Sequence, residues 1–387
     1  MPTKTKRSPV VAPPRPAPRP RKPKPPETTA KIAVIGIPAS GKTTYFRFLS
    51  GHFGLNLPLI FIPGRPAEVP IPLYGDLSRD VILEETTHEA GPAPGADSTT
   101  RLYVNRPMEA KGKLFVELAA GHDQQGVLTK YPLPTKYNQF VEMNMFFRYG
   151  TPERDGQSRT MELRTVDEAG GVISDYFTYD RLWLDSADGE VSEKNCRVIP
   201  RFDTWDTERQ ELWRHGLTLL GRFLDDADGL ILLLSPMLPS LRDQAQQINL
   251  ARGVFRFVAQ RGLPLVIAIS KADKLPEFRQ EIDQVVRNRA YVSPFDTQSF
   301  LLGRDGAGMG TILVANEGKQ ISARQDIFLI SSAVAANEGT PLFVGESGGR
   351  LPTSGGGTAG VPVMVNTTLP LARICEKVLA QRSAGAG

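Results

Sequence analysis

The chain has few of the features that mark secreted or membrane-embedded proteins. Its 387 residues include two cysteines, Cys196 and Cys375, which lie too far apart in sequence to form a recognisable disulfide framework. The longest apolar runs, 229–234 and 263–269, fall well short of the roughly 20 residues that a membrane-spanning helix needs. The four histidines show no metal-ligand spacing. These absences predict a cytoplasmic protein with reduced thiols and no transmembrane segment.

Acidic residues are missing from the first 26 residues, which contain eight Lys or Arg and ten prolines. Since the whole chain has a formal charge of +4, the remainder is slightly acidic. A segment this poor in apolar side chains cannot offset its ordering entropy, so residues 1–29 are predicted to form a disordered basic tail with polyproline II character. The tail could be a solvated leader, could dock in a protein groove, or could bind an anionic surface such as a membrane, which would make the protein peripheral to it.

A folded body is predicted from residue 30 to residue 383, and it opens on a glycine loop. Residues 31–35 form a β-branched run that leads into Gly-Ile-Pro-Ala-Ser-Gly-Lys-Thr at 36–43, which fits G-x-x-x-x-G-K-[ST] at every fixed position. Glycines allow backbone N–H groups to surround a phosphate. Lys42 is predicted to reach the β and γ phosphates, and Thr43 is predicted to bind Mg²⁺. The predicted phosphate-binding set is Gly36, Pro38, Ala39, Ser40, Gly41, Lys42, Thr43 and Thr44.

An acidic element follows two stretches of alternating polarity, 141–148 and 161–166, which predict an antiparallel hairpin. The second stretch ends in Asp-Glu-Ala-Gly at 167–170. Asp167, at the carboxyl end of a strand, is predicted to hold Mg²⁺, and Gly170 allows its amide to approach a γ-phosphate. Glu168 is a candidate for orienting an attacking water, and a solvated acid is the equal alternative.

A third motif, Ser-Lys-Ala-Asp at 270–273, follows the apolar run 263–269. The combination of P-loop, Asp-x-x-Gly and [Asn/Thr/Ser]-Lys-x-Asp resembles the Ras-like and translation-factor (TRAFAC) class of P-loop GTPases. The resemblance implies that Lys271 packs on the purine and that Asp273 accepts hydrogen bonds from guanine N1 and N2. It also implies a last element at Ser332 and Ala333, whose Ala333 amide would face guanine O6. Ser270 stands where Asn is commoner, so its brace on the P-loop is expected to be weaker.

The resemblance further implies a switch threonine that caps Mg²⁺ and the γ-phosphate. Thr135, in the proline-flanked run 131–137, is the predicted switch residue, with Thr99 and Thr100 as competitors and a simple turn threonine as the other alternative. This placement makes residues 51–134 a long insertion, either structured or a large mobile loop. The elongated first switch also gives the chain a narrower resemblance to bacterial double-GTPase proteins of conflict-type gene neighbourhoods.

Gly171 follows the Asp-x-x-Gly motif, where Ras-like enzymes often have a Gln that orients water. A glycine has no side chain for this task, so the resemblance implies slow intrinsic hydrolysis of GTP to GDP and phosphate, with Mg²⁺ as cofactor. An activating protein, an effector or a dimerising G domain would complete the site. Two alternatives stay open, namely an assembly module that holds GTP with negligible hydrolysis, and a P-loop ATPase.

The alternation of strands and helices predicts an α/β fold of the P-loop G-domain type. The expected architecture is a doubly wound, mainly parallel sheet with an antiparallel edge hairpin and nucleotide at the carboxyl ends of the strands. Further insertions are predicted at 289–325 and 345–360, before a final helix near 369–381. A helix over 240–260 is predicted to turn its apolar face inward; the inward residues expected are Leu241, Ala245, Ile248 and Phe255.

Overall fold

The structure is a computed structural model, which describes part of the chain. The described residues are 29–37, 40–46, 49, 59–60, 62, 83–92, 101–107, 139–149, 159–168, 170–186, 189–238, 240–288, 326–332, 335–337, 340–341, 343–344, 361–362 and 364–385. The predicted basic tail, apart from residue 29, and the stretches 289–325 and 345–360 lie outside these residues. No helix in the described part of the chain is long and apolar enough to cross a membrane.

The described elements alternate between strands and helices. The strands are β1 (Ala30–Ile35), β2 (Leu59–Ile60), β3 (Leu83–Pro92), β4 (Arg101–Pro107), β5 (Gln139–Tyr149), β6 (Arg159–Glu168), β7 (Gly229–Leu234), β8 (Leu265–Ile269), β9 (Ile327–Leu329), β10 (Ala335–Asn337), β11 (Thr340–Pro341), β12 (Phe343–Val344), β13 (Val361–Pro362) and β14 (Met364–Val365). The helices are α1 (42–46), α2 (Gly170–Thr178), α3 (Arg181–Leu184), α4 (Glu193–Cys196), α5 (Thr207–Asp225), α6 (Leu241–Arg261), α7 (Pro276–Asn288) and α8 (Leu369–Gly385).

Eight strands form one mixed sheet in the order β4-β3-β5-β6-β1-β7-β8-β9. The pairings from β6 to β9 are parallel, and those from β4 to β6 are antiparallel. The α/β class and the predicted β5–β6 hairpin are therefore confirmed. The edge position of the hairpin is wrong, because β3 and β4, from within the 51–134 stretch, extend the sheet beyond β5.

The central strands are buried on both faces of the sheet. Along β1, Ile32 and Val34 face a core formed with α1 and α8, whereas Ala33 and Ile35 face a core formed with α2, α5, α6 and α7. Strands β7 and β8 alternate in the same way. Burial on both faces explains why these strands are continuous apolar runs in the sequence. It also places the helices on both sides of the sheet.

Helix α6 begins and ends at well-defined caps, and two of its four predicted inward residues, Ile248 and Phe255, pack against the core. The Ser240 hydroxyl accepts a hydrogen bond from the Asp243 amide at 3.1 Å, and Gly262 ends the helix with φ at 63°. Leu241 is 82% exposed and the predicted inward position Ala245 is also exposed, so that part of the prediction is wrong. The buried face instead includes Gln247, whose amide exchanges two hydrogen bonds with the Ser235 backbone. An apolar pattern does not reveal a buried polar residue such as Gln247.

Candidate nucleotide-binding site

The glycine loop leaves β1 at the carboxyl edge of the sheet and depends on both of its fixed glycines. A Cβ on Gly36 would lie 2.5 Å from Ser40 Oγ and 2.6 Å from the Leu233 carbonyl oxygen, so no larger residue fits there. Gly41 has φ at 89°, a left-handed conformation that glycine adopts without strain. The loop is thus held tightly against β7. Pro38 and Ala39 lie outside the described residues.

The ammonium group of Lys42 lies against the glycine loop. Its Nζ donates to the Gly36 carbonyl at 2.7 Å and to the Ile37 carbonyl at 3.3 Å, and the residue is 5% exposed. Thr43 and Thr44 follow in the first turn of α1, where the first backbone N–H groups have no intrahelical acceptor. A buried cation next to helix N–H groups favours an anion at this point.

The Asp-x-x-Gly motif lies at the same edge of the sheet as the glycine loop. Strand β6 runs parallel to β1 and directly beside it, with Val34 opposite Thr165. The Thr165 hydroxyl donates to the Val34 carbonyl at 3.0 Å, which ties the two strands together just before both motifs. Asp167 and Glu168 end β6, and Gly170 opens α2. The described features of Asp167 and Glu168 are those of the strand backbone, so their predicted side-chain roles stay predictions.

Ser270 connects the third motif to the glycine loop. Its amide donates to the Leu234 carbonyl at 2.8 Å, and its hydroxyl donates to the Ser40 carbonyl at 2.5 Å. Ser270 is 3% exposed, so the hydrogen bond is shielded from water. A serine therefore reaches the glycine loop from the end of β8, and the expectation that its brace is weaker than that of an asparagine remains a prediction.

Lys271 and Asp273 follow on a short 3₁₀ turn over residues 272–274. Lys271 has φ at 54°, and burial lowers the pKa of its ammonium, an effect that Asp273 opposes. Asp273 is 6% exposed, and its Oδ1 accepts a hydrogen bond from the Ser331 hydroxyl at 2.7 Å. The Ala272 amide donates to the Ile330 carbonyl at 3.0 Å. These contacts join the Lys-x-Asp motif to the segment that follows β9.

Ser331 was not predicted from the sequence, although its neighbour Ser332 was. Ser332 is 8% exposed and lies beside Ser331 at the end of β9, whereas Ala333 lies outside the described residues. The Ser-Ser pair was the sequence feature that could have indicated this contact, because either hydroxyl could donate to an acidic group on the adjacent loop. The structure assigns that contact to Ser331.

Asn366 is a second residue that sequence reasoning missed. Its side-chain amide donates to the carbonyls of Ile62 and Leu329 at 2.9 and 3.1 Å, and its Oδ1 accepts from the Ile62 amide at 2.8 Å. The neighbouring Val365 exchanges backbone hydrogen bonds with Ser331 at 2.8 and 3.0 Å. A residue of the 51–134 stretch, the end of β9 and the start of α8 are thus fixed to one another. No local pattern marks Asn366, since its partners are distant in sequence.

The structure brings three separated motifs to one edge of the sheet. The side chains described there are those of Ser40, Lys42, Thr43, Thr44, Ser270, Lys271, Asp273 and Ser332, and the backbone positions are those of Gly36, Gly41, Asp167, Glu168 and Gly170. The predicted switch residue Thr135 and its competitors Thr99 and Thr100 lie outside the described residues, so the structure leaves the choice among them open.

Comparison with known proteins provides no independent identification of this site. No protein-family model matches the chain, and no curated protein matches it. Its function is therefore argued from the geometry at the carboxyl edge of the sheet.

Proposed function

We propose that the chain is a P-loop GTPase of the Ras-like and translation-factor class, which binds GTP with Mg²⁺ and hydrolyses it slowly to GDP and phosphate. The observation that carries the proposal is the hydrogen bond from the Ser270 hydroxyl to the Ser40 carbonyl. It fixes the candidate base-reading motif to the candidate phosphate loop, although the two residues are 230 positions apart. A protein that binds the base and the phosphates of one nucleotide at the same time needs such a connection.

The base-reading half of the proposal rests on Asp273. One of its carboxylate oxygens is held by the Ser331 hydroxyl, which fixes the orientation of the group. A carboxylate accepts hydrogen bonds, and guanine offers two neighbouring donors at N1 and N2, whereas adenine has no matching pair. The Lys271 side chain, partly desolvated, supplies an aliphatic stem that can cover a purine face. This chemistry favours guanine over adenine.

The phosphate half rests on Lys42 and the N-terminus of α1. The buried ammonium and the helix N–H groups form an anion site. The donor set also suits Mg²⁺, a hard cation that takes oxygen ligands. Thr43 at the start of α1 and Asp167 at the end of β6 would hold it, with Thr135 as the proposed third ligand. Bound Mg²⁺ would neutralise charge on the phosphate oxygens.

Hydrolysis is proposed to be slow because no side chain at residue 171 can orient the attacking water. Glu168, two residues before Gly170, is the proposed substitute within this chain. A donated arginine or a second G domain could stabilise the transition state, which is worth about 10³ to 10⁵ in rate where such groups act. A GTP-holding assembly module with negligible hydrolysis is the second candidate function. It is favoured because the Trp213 indole lies where a water-orienting side chain at residue 171 would stand.

Location and partners are proposals of the same kind. A cytoplasmic switch would report its nucleotide state to a protein effector, and the basic tail would dock in a protein groove or on an anionic surface. These roles are separate from nucleotide chemistry, since the tail precedes β1 and its first 26 residues contain no acid.

The test is nucleotide binding and turnover by the purified full-length chain. We expect GTP and GDP to bind with Mg²⁺ far more tightly than ATP, and Lys42→Ala to abolish tight GTP binding while thermal unfolding stays cooperative. Single-turnover hydrolysis of bound GTP, with and without cell extract, separates the switch from the assembly module. Equal affinity for GTP and ATP would contradict the base assignment, and undiminished binding by Lys42→Ala would contradict the phosphate loop.

A further inference from the structure

The space beside Gly171 is filled by the indole of Trp213. A Cβ built on Gly171 would lie 2.4 Å from Trp213 Cη2 and 2.7 Å from Cζ2. No heavy atom tolerates such a separation, so a side chain at residue 171 requires the indole to move. Gly171 is therefore in close contact with Trp213 of α5, and a larger residue at this position would displace the indole. The residue that blocks a side chain here is 42 positions further along the chain.

The same tryptophan is hydrogen-bonded to the helix that Gly171 belongs to. Trp213 Nε1 donates to Asp175 Oδ2 at 3.0 Å. Asp175 lies one turn after Gly171 on α2, so one indole contacts both the start and the middle of this helix. Burial raises the pKa of the Asp175 carboxyl to about 6, and the indole donor opposes that shift. A buried acceptor of this kind depends on its donor.

The carboxyl end of α2 is packed closely against α6. A Cβ on Gly253 of α6 would lie 1.9 Å from the Phe177 carbonyl oxygen, so the two helix backbones are in direct contact. Phe177 and Tyr176 also meet the Phe257 ring at centroid distances of 5.6 and 6.4 Å. The amino end of α2 is held by Val172 and Ile173, which are buried in the core, and by Trp213, which contacts Gly171 and Asp175.

We propose that Trp213 is a positioning residue that holds Gly170 and Gly171 at the phosphate edge of the site. This inference rests on the proposed function, in which the Gly170 amide contacts the γ-phosphate. Trp213 acts through Gly171 and Asp175 and touches no nucleotide. Removing its contacts loosens the first residues of α2, Gly170 and Gly171, which weakens binding of a triphosphate and leaves a diphosphate unaffected.

The test uses the full-length chain with Mg²⁺ and two probes, GTPγS and GDP. Trp213→Phe retains a ring against Gly171 but removes the donor to Asp175, and Gly171→Ala retains the donor but pushes the ring away. We expect each variant to bind GTPγS roughly five- to tenfold more weakly than the wild type and to bind GDP within about twofold of it. Asp175→Asn retains an acceptor for the indole and should restore most of the GTPγS affinity lost in Asp175→Ala.

Trp205→Phe is the matched control. Its ring packs against Trp213 at a centroid distance of 5.3 Å, whereas the hydrogen bond to Asp175 and the nearest approach to Gly171 are made by Trp213. We expect this variant to bind both nucleotides as the wild type does. Intrinsic fluorescence gives a second measurement: adding GTPγS should change the emission of the Trp205→Phe protein, and the change should be absent from the Trp213→Phe protein.

The possible failures can be told apart. If folded Trp213→Phe and Gly171→Ala bind both nucleotides equally weakly, or both normally, the positioning role is wrong and the proposed function stands. If the wild-type chain binds neither nucleotide, the proposed function is wrong and this inference falls with it. Urea denaturation of each variant shows which proteins are folded at the assay temperature.

Discussion

The Ser331 hydroxyl donates to Asp273 Oδ1 at 2.7 Å across 58 residues of sequence, and both residues are almost fully buried. The contact links the segment after β9 to the loop after β8. Because a serine donor occupies one carboxylate oxygen, the orientation of Asp273 is set before any base binds. Base selection in the proposed site thus depends on a residue that need not contact the base.

Ser331→Ala should weaken binding of guanine nucleotides without changing the preference for guanine over adenine. It removes a hydrogen bond to a charged acceptor, worth about 1.5–3 kcal/mol, but it leaves the carboxylate that reads the base. Titration of a fluorescent GDP derivative measures the affinity. Ser383→Ala is the control, since it removes a hydroxyl that donates to the Leu379 carbonyl on the exposed side of α8. Equal effects of the two substitutions would show that Ser331 has no special role.

Asp273→Asn should reverse the base preference. The asparagine amide places an N–H donor where a carboxylate oxygen stood, so it opposes one of the guanine donors and costs about 1–3 kcal/mol of binding free energy. Xanthine has a carbonyl at that position and should gain affinity. Competition between GDP and XDP for the purified variant measures both changes. If XDP does not gain on GDP, Asp273 does not face the purine edge.

The three motifs and the central strands could be predicted because their signals are local. The boundaries 229–234 of β7 and the cap at Ser240 follow from apolar runs and a hydroxyl before a helix. The connection between Ser270 and the glycine loop was expected from the family resemblance. These features depend on residues that are adjacent in sequence or matched by a known pattern.

Contacts between residues distant in sequence could not be predicted in this way. Asn366 reaches Ile62 across 304 residues, and Trp213 covers Gly171 from another helix. The strands β3 and β4 were not predicted, because the long stretch 51–134 was interpreted as an insertion, either structured or a large mobile loop. Leu241 and Ala245 of α6 were wrongly placed on its inward face. Gln247 was missed because it is buried through hydrogen bonds to Ser235, which an apolar pattern does not reveal.

Thr135→Ala should weaken GTP binding and leave GDP binding nearly unchanged. The proposed contacts of its hydroxyl to Mg²⁺ and to the γ-phosphate exist only in the triphosphate state. Thr99→Ala and Thr100→Ala are the matched comparisons, since each removes one threonine hydroxyl from the same long stretch of chain. Affinities for GTPγS and GDP are measured for all three variants. A selective loss in Thr99→Ala or Thr100→Ala would move the switch to that residue.

Asp175 predicts how stability depends on pH. Its folded-state pKa is raised from an ordinary value of 3.8 to about 6, chiefly because the carboxyl is buried. Ionising it therefore costs folding free energy: the cost is absent below pH 3.8, grows as the pH rises, and is complete above about pH 6. Since each pKa unit corresponds to about 1.4 kcal/mol, the full cost is at most about 3 kcal/mol, and partial exposure reduces it.

Asp175→Asn cannot ionise at this position, so its stability relative to the wild type should rise between pH 4.5 and pH 7.5. Urea denaturation of both proteins at the two pH values measures that difference, and a difference that does not change with pH would contradict the raised pKa. The neighbouring Tyr179 and Cys196 stay neutral throughout, because burial raises the pKa of both groups, that of Cys196 to about 12. The comparison therefore isolates the carboxyl that accepts the Trp213 hydrogen bond.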